Sequence, residues 1–543
     1  MARSREVVVF VGALLIYLLM PSRNFNYADD SLAWAVALEG DAGLINSHHL
    51  FLNGVRSCFH FLERLTGSTL DSTRTLALYN SLWGALGLAA LHRLLIILGL
   101  AEVAVPGTLF CGFTAGYWAY SIVGDVYVPA IALTVLGITA FFAGMTSSGG
   151  WRRVVLGVAA AAAFVLAIVH HQSHFIIVAA IAGGGLLMPS PRLIQRARYS
   201  LGVLALTGLT ALVIYGAAYS LTYGHSGPGF RKFMSGYVES YKPRPDQKRI
   251  TPGTLANAGM GEVRAIFATC VVFRSEPLTR AVQNRFPYRN IYPYPYLVRE
   301  LGTARLAIIL LGIGVAGACS VWLFFLGLRR AFREHGALMI LVLAGLPQAL
   351  LFIWWEAISD EFWLWTLPIV AVVVAAGAAG SQRRKRVLWV ALGGLGISTL
   401  LGSILLFADP GNDIDAVNDR FLTEVRRSDL LVGWEKIQSS GRVELAQARQ
   451  GFRWFNVYTR AYRWRPEDRA ELEQAIESTL ASGGRIVVHP YLTHPPLSNM
   501  VLIGLAQPQF ESERQTILAR LRAIDPGRTS WEPLAASVPG YFR

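Results

Sequence analysis

Charge is scarce in this sequence. Only 15% of its 543 residues are Asp, Glu, Lys or Arg, and 53% are hydrophobic, whereas soluble globular domains carry about 25% charged residues. The mean hydropathy of +0.41 points the same way and excludes an ordinary soluble protein. Cysteine is scarce too. Cys58, Cys111, Cys270 and Cys319 show no C-x-x-C spacing, which argues against a cysteine metal cage or a dithiol motif. Residues 7–20 are apolar and follow Arg3 and Arg5, but no A-x-A site comes after them. They read as a first membrane helix and not as a cleavable signal. Internal repeats, low-complexity tracts and nucleotide-binding motifs are also missing from the sequence.

What is abundant is apolar sequence in lengths that suit a bilayer. A crossing helix needs about 20 such residues. Candidate spans lie at 6–22, 75–98, 104–122, 127–145, 153–169, 172–188, 199–222, 304–328, 337–355, 362–380 and 387–407, eleven in all. His170-His171 alone separates 153–169 from 172–188, so this pair reads either as two short tilted helices or as one re-entrant hairpin. If the N-terminus is cytoplasmic, the short inside segments hold fifteen basic residues, among them Arg152, Arg153, Arg192, Arg196, Arg198 and the cluster Arg383–Arg386, against Glu6, Glu102 and Glu334. That asymmetry is the positive-inside signature. It puts the C-terminus outside, together with a first loop (23–74), a second long loop (223–303) and a tail (408–543).

The expected fold is an all-α polytopic membrane domain (1–407) followed by a small extracytoplasmic α/β domain (408–543). In the tail, 429–435 and 485–489 read as short buried strands. Residues 466–482 read as an amphipathic helix that opens on Pro466 and stops at Gly483-Gly484. His489 and His494 read as structural or surface residues.

Several polar groups stand out against this apolar background. Asp29-Asp30 opens the first loop, where one acid suffices to cap the following helix and the other suits a general base. Asn46-Ser47-His48-His49 follows, as a ligand pair, a phosphate contact or a plain loop. Asp125 sits between the third and fourth spans, as a turn residue or as an acid in use. His170, His171 and His174 lie at the turn of the fifth and sixth spans. Glu356, Asp360 and Glu361 lie between the ninth and tenth. The second long loop carries twelve basic residues against five acidic ones. With Tyr241-Lys242-Pro243-Arg244-Pro245 at its centre, it suits either a lipid-linked phosphate or anionic headgroups in general. On the expected topology all these clusters share the extracytoplasmic face. Cys58 and Cys270 would lie there too and could pair.

The layout over roughly 1–407 resembles the C-type (GT-C) integral membrane glycosyltransferases, in particular the bacterial protein O-mannosyltransferase-like branch. The resemblance rests on Asp29-Asp30 after the first span, the Ser-x-x-x-Asp-Val-Tyr element at 121–127, His170-His171 before a membrane helix, and Asp-Glu-Phe-Trp at 360–363. It implies a polyprenyl-phosphate-linked sugar donor, a glycan, lipid or protein acceptor, and transfer to a hydroxyl on the outer face of a bacterial inner (plasma) membrane. Asp30 or Asp29 would be the base and Asp125 a second acid at the catalytic centre. His48, His49, His170, His171, Lys242, Arg244, Asp360 and Glu361 would line the donor phosphate and sugar pocket. No metal ligand set is assigned, although a divalent cation stays open as a cofactor. No nucleic-acid partner is implied. The long motif of the oligosaccharyltransferases and the domain layout of eukaryotic protein mannosyltransferases are absent. A transporter or flippase of lipid-linked glycans, and a glycan polymerase or ligase, are the competing readings.

Overall fold

A computed structural model describes residues 2–23, 31–39, 49–189, 192–224, 229–240, 250–269, 301–334, 336–357, 359–412, 417, 419–433, 437–457, 466–493, 508–524 and 526–531. They form two compact units. One comprises Met1–Pro21, Gly43–Thr269 and Thr303–Leu405; the other comprises Ser22–Ala42, Cys270–Gly302 and Leu406–Arg543.

The first unit is helical. It runs through α1 (Ala2–Leu19), α2 (Leu52–Thr66), α3 (Ser72–Ile97), α4 (Ala104–Gly112), α5 (Ala115–Ser121), α6 (Tyr127–Met145), α7 (Gly150–His170), α8 (His174–Gly185) and α9 (Leu193–Tyr223). It continues with α10 (Phe230–Ser240), α11 (Pro252–Ile266), α12 (Thr303–Glu334), α13 (Ala337–Glu356), α14 (Thr366–Ala378) and α15 (Gln382–Thr399). Among the described residues, seven helices are long and apolar enough to cross a membrane: α3, α6, α7, α9, α12, α13 and the run Gln382–Phe407 that begins with α15. Three shorter apolar helices, Ala101–Gly112, His174–Gly185 and Thr366–Ala378, accompany them. Large apolar side chains such as Leu209 and Val213 on α9 and Leu311 and Phe325 on α12 point outward. That is the surface a helix presents to lipid, where burial in protein is not needed to keep it from water.

Two apolar stretches break where the sequence offers the backbone another partner. Residues 104–122 form two helices, α4 and α5, because Thr114 adopts an extended conformation and its hydroxyl donates to the Cys111 carbonyl at 2.7 Å. At His171 the backbone is likewise extended, so 153–169 and 172–188 lie in separate helices, α7 and α8, joined by a three-residue turn.

The local signals at helix ends are ordinary ones. Asp71 caps α3 by accepting from the amides of Thr73 and Arg74. Thr251 and Thr254 form a capping box at the start of α11, with Pro252 at the first helical position. Helices α12 and α14 approach so closely that Gly327 faces the Val373 carbonyl and Gly377 faces the Leu323 carbonyl. Only residues without a Cβ allow this contact, a common device where lipid supplies no hydrophobic drive between helices.

The second unit carries a four-stranded sheet, β1 (Leu430–Gly433), β2 (Arg453–Asn456), β3 (Ile486–Val488) and β4 (Thr529–Trp531). The strands are all parallel and ordered β2-β1-β3-β4. Helices α16 (Ile437–Gln450), α17 (Pro466–Ala481) and α18 (Pro508–Arg522) connect them. Both sheet faces are covered, so β1 and β3 are apolar at every position. Leu430, Val432, Ile486 and Val488 pack with residues of α17 and α18 such as Leu472, Ile476 and Leu518. Leu431 and Val487 pack on the other face with Val443 of α16 and Phe452. Asp429 ties the start of β1 to that of β3: it accepts from the amides of Arg426 and Arg485, each at 3.0 Å, and from the Arg485 guanidinium at 2.8 Å. At the end of β3, the fully buried His489 donates through Nε2 to Asp419 at 2.6 Å, while its Nδ1 accepts from the Tyr491 amide at 3.1 Å. His489 is thus a structural pin. The helix Ser31–Glu39 belongs to this unit and is anchored by the Arg449 guanidinium on Glu39, at 2.6 and 2.9 Å.

Candidate functional site

Within the helical unit, a cluster of polar and aromatic side chains collects at the C-terminal end of α7 and the start of α6. The turn between α5 and α6 carries Asp125, which is 3% exposed. Two residues of α3 hold that turn. Asn80 Nδ2 donates to the carbonyls of Tyr120 (3.2 Å) and Val123 (2.7 Å), and the Ser81 hydroxyl donates to the Ser121 carbonyl at 2.9 Å. Asp125 itself accepts from the Val126 amide. A carboxylate in this setting costs free energy unless its environment stabilises it.

Tyr127, two residues on, packs its ring 5.1 Å from that of His171 and 6.0 Å from that of Phe362. His171 in turn lies 5.2 Å from His49 and 5.9 Å from His174, centroid to centroid. All four imidazoles, of His49, His170, His171 and His174, are buried. Their hydrogen bonds fix several protonation sites. His170 Nδ1 faces the Leu166 carbonyl at 2.7 Å. A carbonyl only accepts, so the neutral ring carries its proton there and leaves Nε2 to accept from the Tyr79 hydroxyl at 2.7 Å. His49 Nδ1 donates to the His170 carbonyl at 2.9 Å. The Thr134 hydroxyl donates to the Ala130 carbonyl and lies 2.7 Å from His174 Nδ1. His171 Nδ1 is 2.7 Å from the Ser173 hydroxyl. Phe51 stacks on His170 with centroids 4.0 Å apart.

Phe362 links this cluster to a second one. Asp360 is buried and accepts from the Arg264 guanidinium of α11 at 3.3 Å. Glu361 is buried beside it. Glu262, one turn before the end of α11, accepts from the Thr366 hydroxyl at 3.1 Å. Burial pushes the Glu262 carboxyl up to about 7, against the opposing pull of that hydroxyl. The Trp363 indole donates to the Ala357 carbonyl at 2.8 Å and sets the turn that presents Asp360 and Glu361.

Of the residues singled out from the sequence, the fold brings together His49, His170, His171 and His174; Asp125 stands two residues before Tyr127, whose ring meets His171, and Asp360 and Glu361 directly precede Phe362, whose ring meets Tyr127. Asp29, Asp30, His48, Lys242 and Arg244 lie outside the described residues, as does Cys270. Cys58 is exposed on α2. Among the described residues, no group of three or more His, Cys, Asp or Glu is arranged to hold a metal ion. Sequence reading passed over Tyr79 and Thr134, each one polar residue inside an apolar helix and so without a local signal, and noted Tyr127 only as the end of the Ser-x-x-x-Asp-Val-Tyr element. Glu262 and Arg264 were visible only as two charges in a basic loop. The capping box that starts α11 is the local feature that would have marked them as helical and placed them on one element.

No protein-family profile matches the chain, and no curated protein matches it either. Among solved structures it is similar to ArnT from Cupriavidus metallidurans bound to undecaprenyl phosphate, at 11% identity and a TM-score of 0.50, over 82% of this chain and 85% of that one. The same protein in its apo state gives 11% identity and a TM-score of 0.49 over 84% and 86%. The apo oligosaccharyltransferase of Archaeoglobus fulgidus gives 13% identity and a TM-score of 0.48 over 83% and 64%. With its apolar helices and its likeness to the ArnT complex, this chain is an integral membrane protein that shares the polytopic helical fold of that structure.

Proposed function

We propose that this protein transfers a sugar from a polyprenyl-phosphate-linked donor to an acceptor hydroxyl at the extracytoplasmic face of a bacterial inner membrane. The observation that supports the reading is the gathering of Tyr127, His49, His170 and His171 at one end of the helical unit, with the buried Asp125 two residues before Tyr127, on a fold shared with a protein solved with undecaprenyl phosphate.

In this reading the buried imidazoles and the aromatic rings form the wall of the donor pocket. Lys242 and Arg244 neutralise charge that develops on the departing phosphate. The first-loop acid, Asp30 or Asp29, takes the proton of the acceptor hydroxyl. The acceptor oxygen bonds to the anomeric carbon as the bond from that carbon to the phosphate oxygen breaks, and the polyprenyl phosphate leaves with the electron pair. One displacement of this kind inverts the anomeric centre. Asp125 supplies a second carboxylate that orients sugar hydroxyls, and Asp360 and Glu361 extend the acidic wall.

The test is transfer by purified protein in detergent from a polyprenyl-phosphate sugar, read by mass analysis of the product. Asp125→Asn should lower kcat by about 10²-fold through loss of substrate positioning, and Asp30→Asn with Asp29→Asn should abolish transfer. Full activity of the doubly substituted first-loop protein would remove the base assignment. Sugar movement that needs a sealed vesicle and yields no new glycosidic bond would replace the reading with a transporter.

A further inference from the structure

Away from the His cluster, a cleft of about 400 Å³ opens between α7 and α9, near the N-terminal ends of both helices. Its mouth is basic. Arg153 of α7 and Arg198 of α9 line it, and neither has a carboxylate partner among the described residues. From Val126 to Val238 the sequence contains no acidic residue at all, so nothing on α7, α9 or the loop that joins them can neutralise these arginines. Below the mouth the cleft turns apolar and shallow-walled. Gly157 and Gly202 form part of the lining with Val203, and nothing lies within 4 Å of where a Cβ on Gly202 would sit.

Two buried donors beside this cleft lack hydrogen-bond acceptors among the described residues, the Tyr199 hydroxyl and the Arg153 Nε. Tyr199 is only 8% exposed. Arg153 spends one guanidinium nitrogen on the Ser147 carbonyl, at 2.6 Å, which aims the group and leaves the rest of it uncommitted. Trp151, 79% exposed, stands at the same helix end, as an interfacial anchor does.

Depth separates the cleft from the candidate active site. Arg153 and His170 lie 17 residues apart on the single helix α7, about 26 Å at 1.5 Å per residue. That is close to the thickness of a bilayer's hydrocarbon core, about 30 Å. The cleft therefore opens at the opposite membrane boundary and cannot serve the donor phosphate of a reaction at the His cluster.

We propose that this cleft binds an anionic phospholipid of the leaflet at that boundary. Arg153 and Arg198 grip the phosphate and one acyl chain lies in the Gly157–Gly202 groove. Two unpaired guanidinium groups complement a phosphodiester. A groove that is apolar beneath a basic mouth complements the headgroup-to-chain polarity of a lipid and not of a free ion. Basic pockets between membrane helices on the cytoplasmic side are suited to anionic headgroups, and the basic loops place this end on that side. The proposal is independent of the transferase reading.

The test is native mass spectrometry of the full chain in detergent, titrated with phosphatidylglycerol or phosphatidylcholine of equal chain length. Retention of phosphatidylglycerol should exceed that of phosphatidylcholine by about 30-fold, in line with about 1 kcal/mol of attraction for each of the two arginines. Arg153→Gln combined with Arg198→Gln should erase the preference. Gly202→Trp, at a site with room for it, should block binding while the arginines remain. Equal retention of the two lipids, an unchanged preference in the double variant, or full binding to Gly202→Trp would each overturn the proposal. So would displacement of phosphatidylglycerol by millimolar inorganic phosphate, which would identify a free-phosphate site instead.

Discussion

The Tyr79 hydroxyl, on α3, lies 2.7 Å from Nε2 of His170, the last residue of α7. Since His170 gives its Nδ1 proton to the Leu166 carbonyl, this bond sets one tautomer and one ring orientation at the base of the His cluster. Tyr79→Phe keeps the ring stacking and removes only the donor, leaving a buried nitrogen unsatisfied. The expected cost is about 1–3 kcal/mol, visible as a lower midpoint of thermal unfolding in detergent. Tyr79→Ala, which also loses the ring, should cost more.

Glu262 gives a pH dependence of definite sign. Its folded pKa of about 7 stands above the ordinary 4.5. Between those values the folded state holds the proton more tightly than the unfolded one. Stability therefore falls as pH rises from about 4.5 to about 7, by up to about 3 kcal/mol, and is flat on either side. Glu262→Gln, which cannot ionise, should remove that slope. Unfolding midpoints from pH 4 to pH 8, compared for the two proteins, check it.

The Arg264–Asp360 pair is asymmetric in burial, with the carboxylate side deeper at 9% exposed against 20%. Truncating the arginine removes this charge-assisted hydrogen bond from a buried acid. Arg264→Ala should destabilise by about 1.5–3 kcal/mol, and Arg264→Lys should recover part of it. If Asp360 faces the donor, both should raise KM more than they lower kcat, which a kinetic comparison would read.

At the α12–α14 crossing, a side chain at Gly377 would meet the Leu323 carbonyl. Gly377→Val must push the helices apart or fail to fold, and the same holds at Gly327. Loss of monodisperse protein in detergent chromatography is the expected result. Gly208→Ala on α9, with nothing within 4 Å of the added Cβ, should be silent.

In the α/β unit, burial would raise the Asp429 carboxyl, but the Arg485 guanidinium and the amides of Arg426 and Arg485 outweigh it and hold it below 3.8. The stability it contributes is present above that pH and lost as pH falls through its lowered value. Asp429→Asn keeps the shape and loses the charge, so it should weaken the unit at neutral pH by about 1–3 kcal/mol and flatten its acid sensitivity. Far-ultraviolet circular dichroism of the purified chain from pH 2 to pH 7 measures this.

Much of the architecture was legible because membrane insertion is a local property. About 20 consecutive apolar residues suffice to identify a crossing helix whatever else the chain does. The stretches 75–98, 127–145 and 387–407 accordingly coincide closely with helices. Parallel strands buried on both faces are similarly local, as RIVVH and DLLVG show. The breaks were harder. Residues 104–122 form one unbroken apolar run, and a single hydroxyl, that of Thr114, redirects it.

The site was legible only as a set of polar residues in apolar surroundings. Asp125, His170, His171 and Asp360 announce themselves because ionisable groups near the bilayer are costly and need a reason. Their partners do not. Tyr79 and Asn80 look like any interfacial residue of a long helix, and Thr134 like any helical threonine.

Composition and spacing along the chain thus determined a membrane protein of many helices with strand and helix signals in its tail, and determined which ionisable residues to watch. Only the tertiary structure decided that Tyr79 meets His170, that Tyr127 lies between His171 and Phe362, and that Arg264 reaches Asp360. Insertion depends on sums over neighbouring residues, which a sequence displays. These contacts join residues about 44 to 235 positions apart, and they form only when helix packing brings distant side chains within a few ångströms.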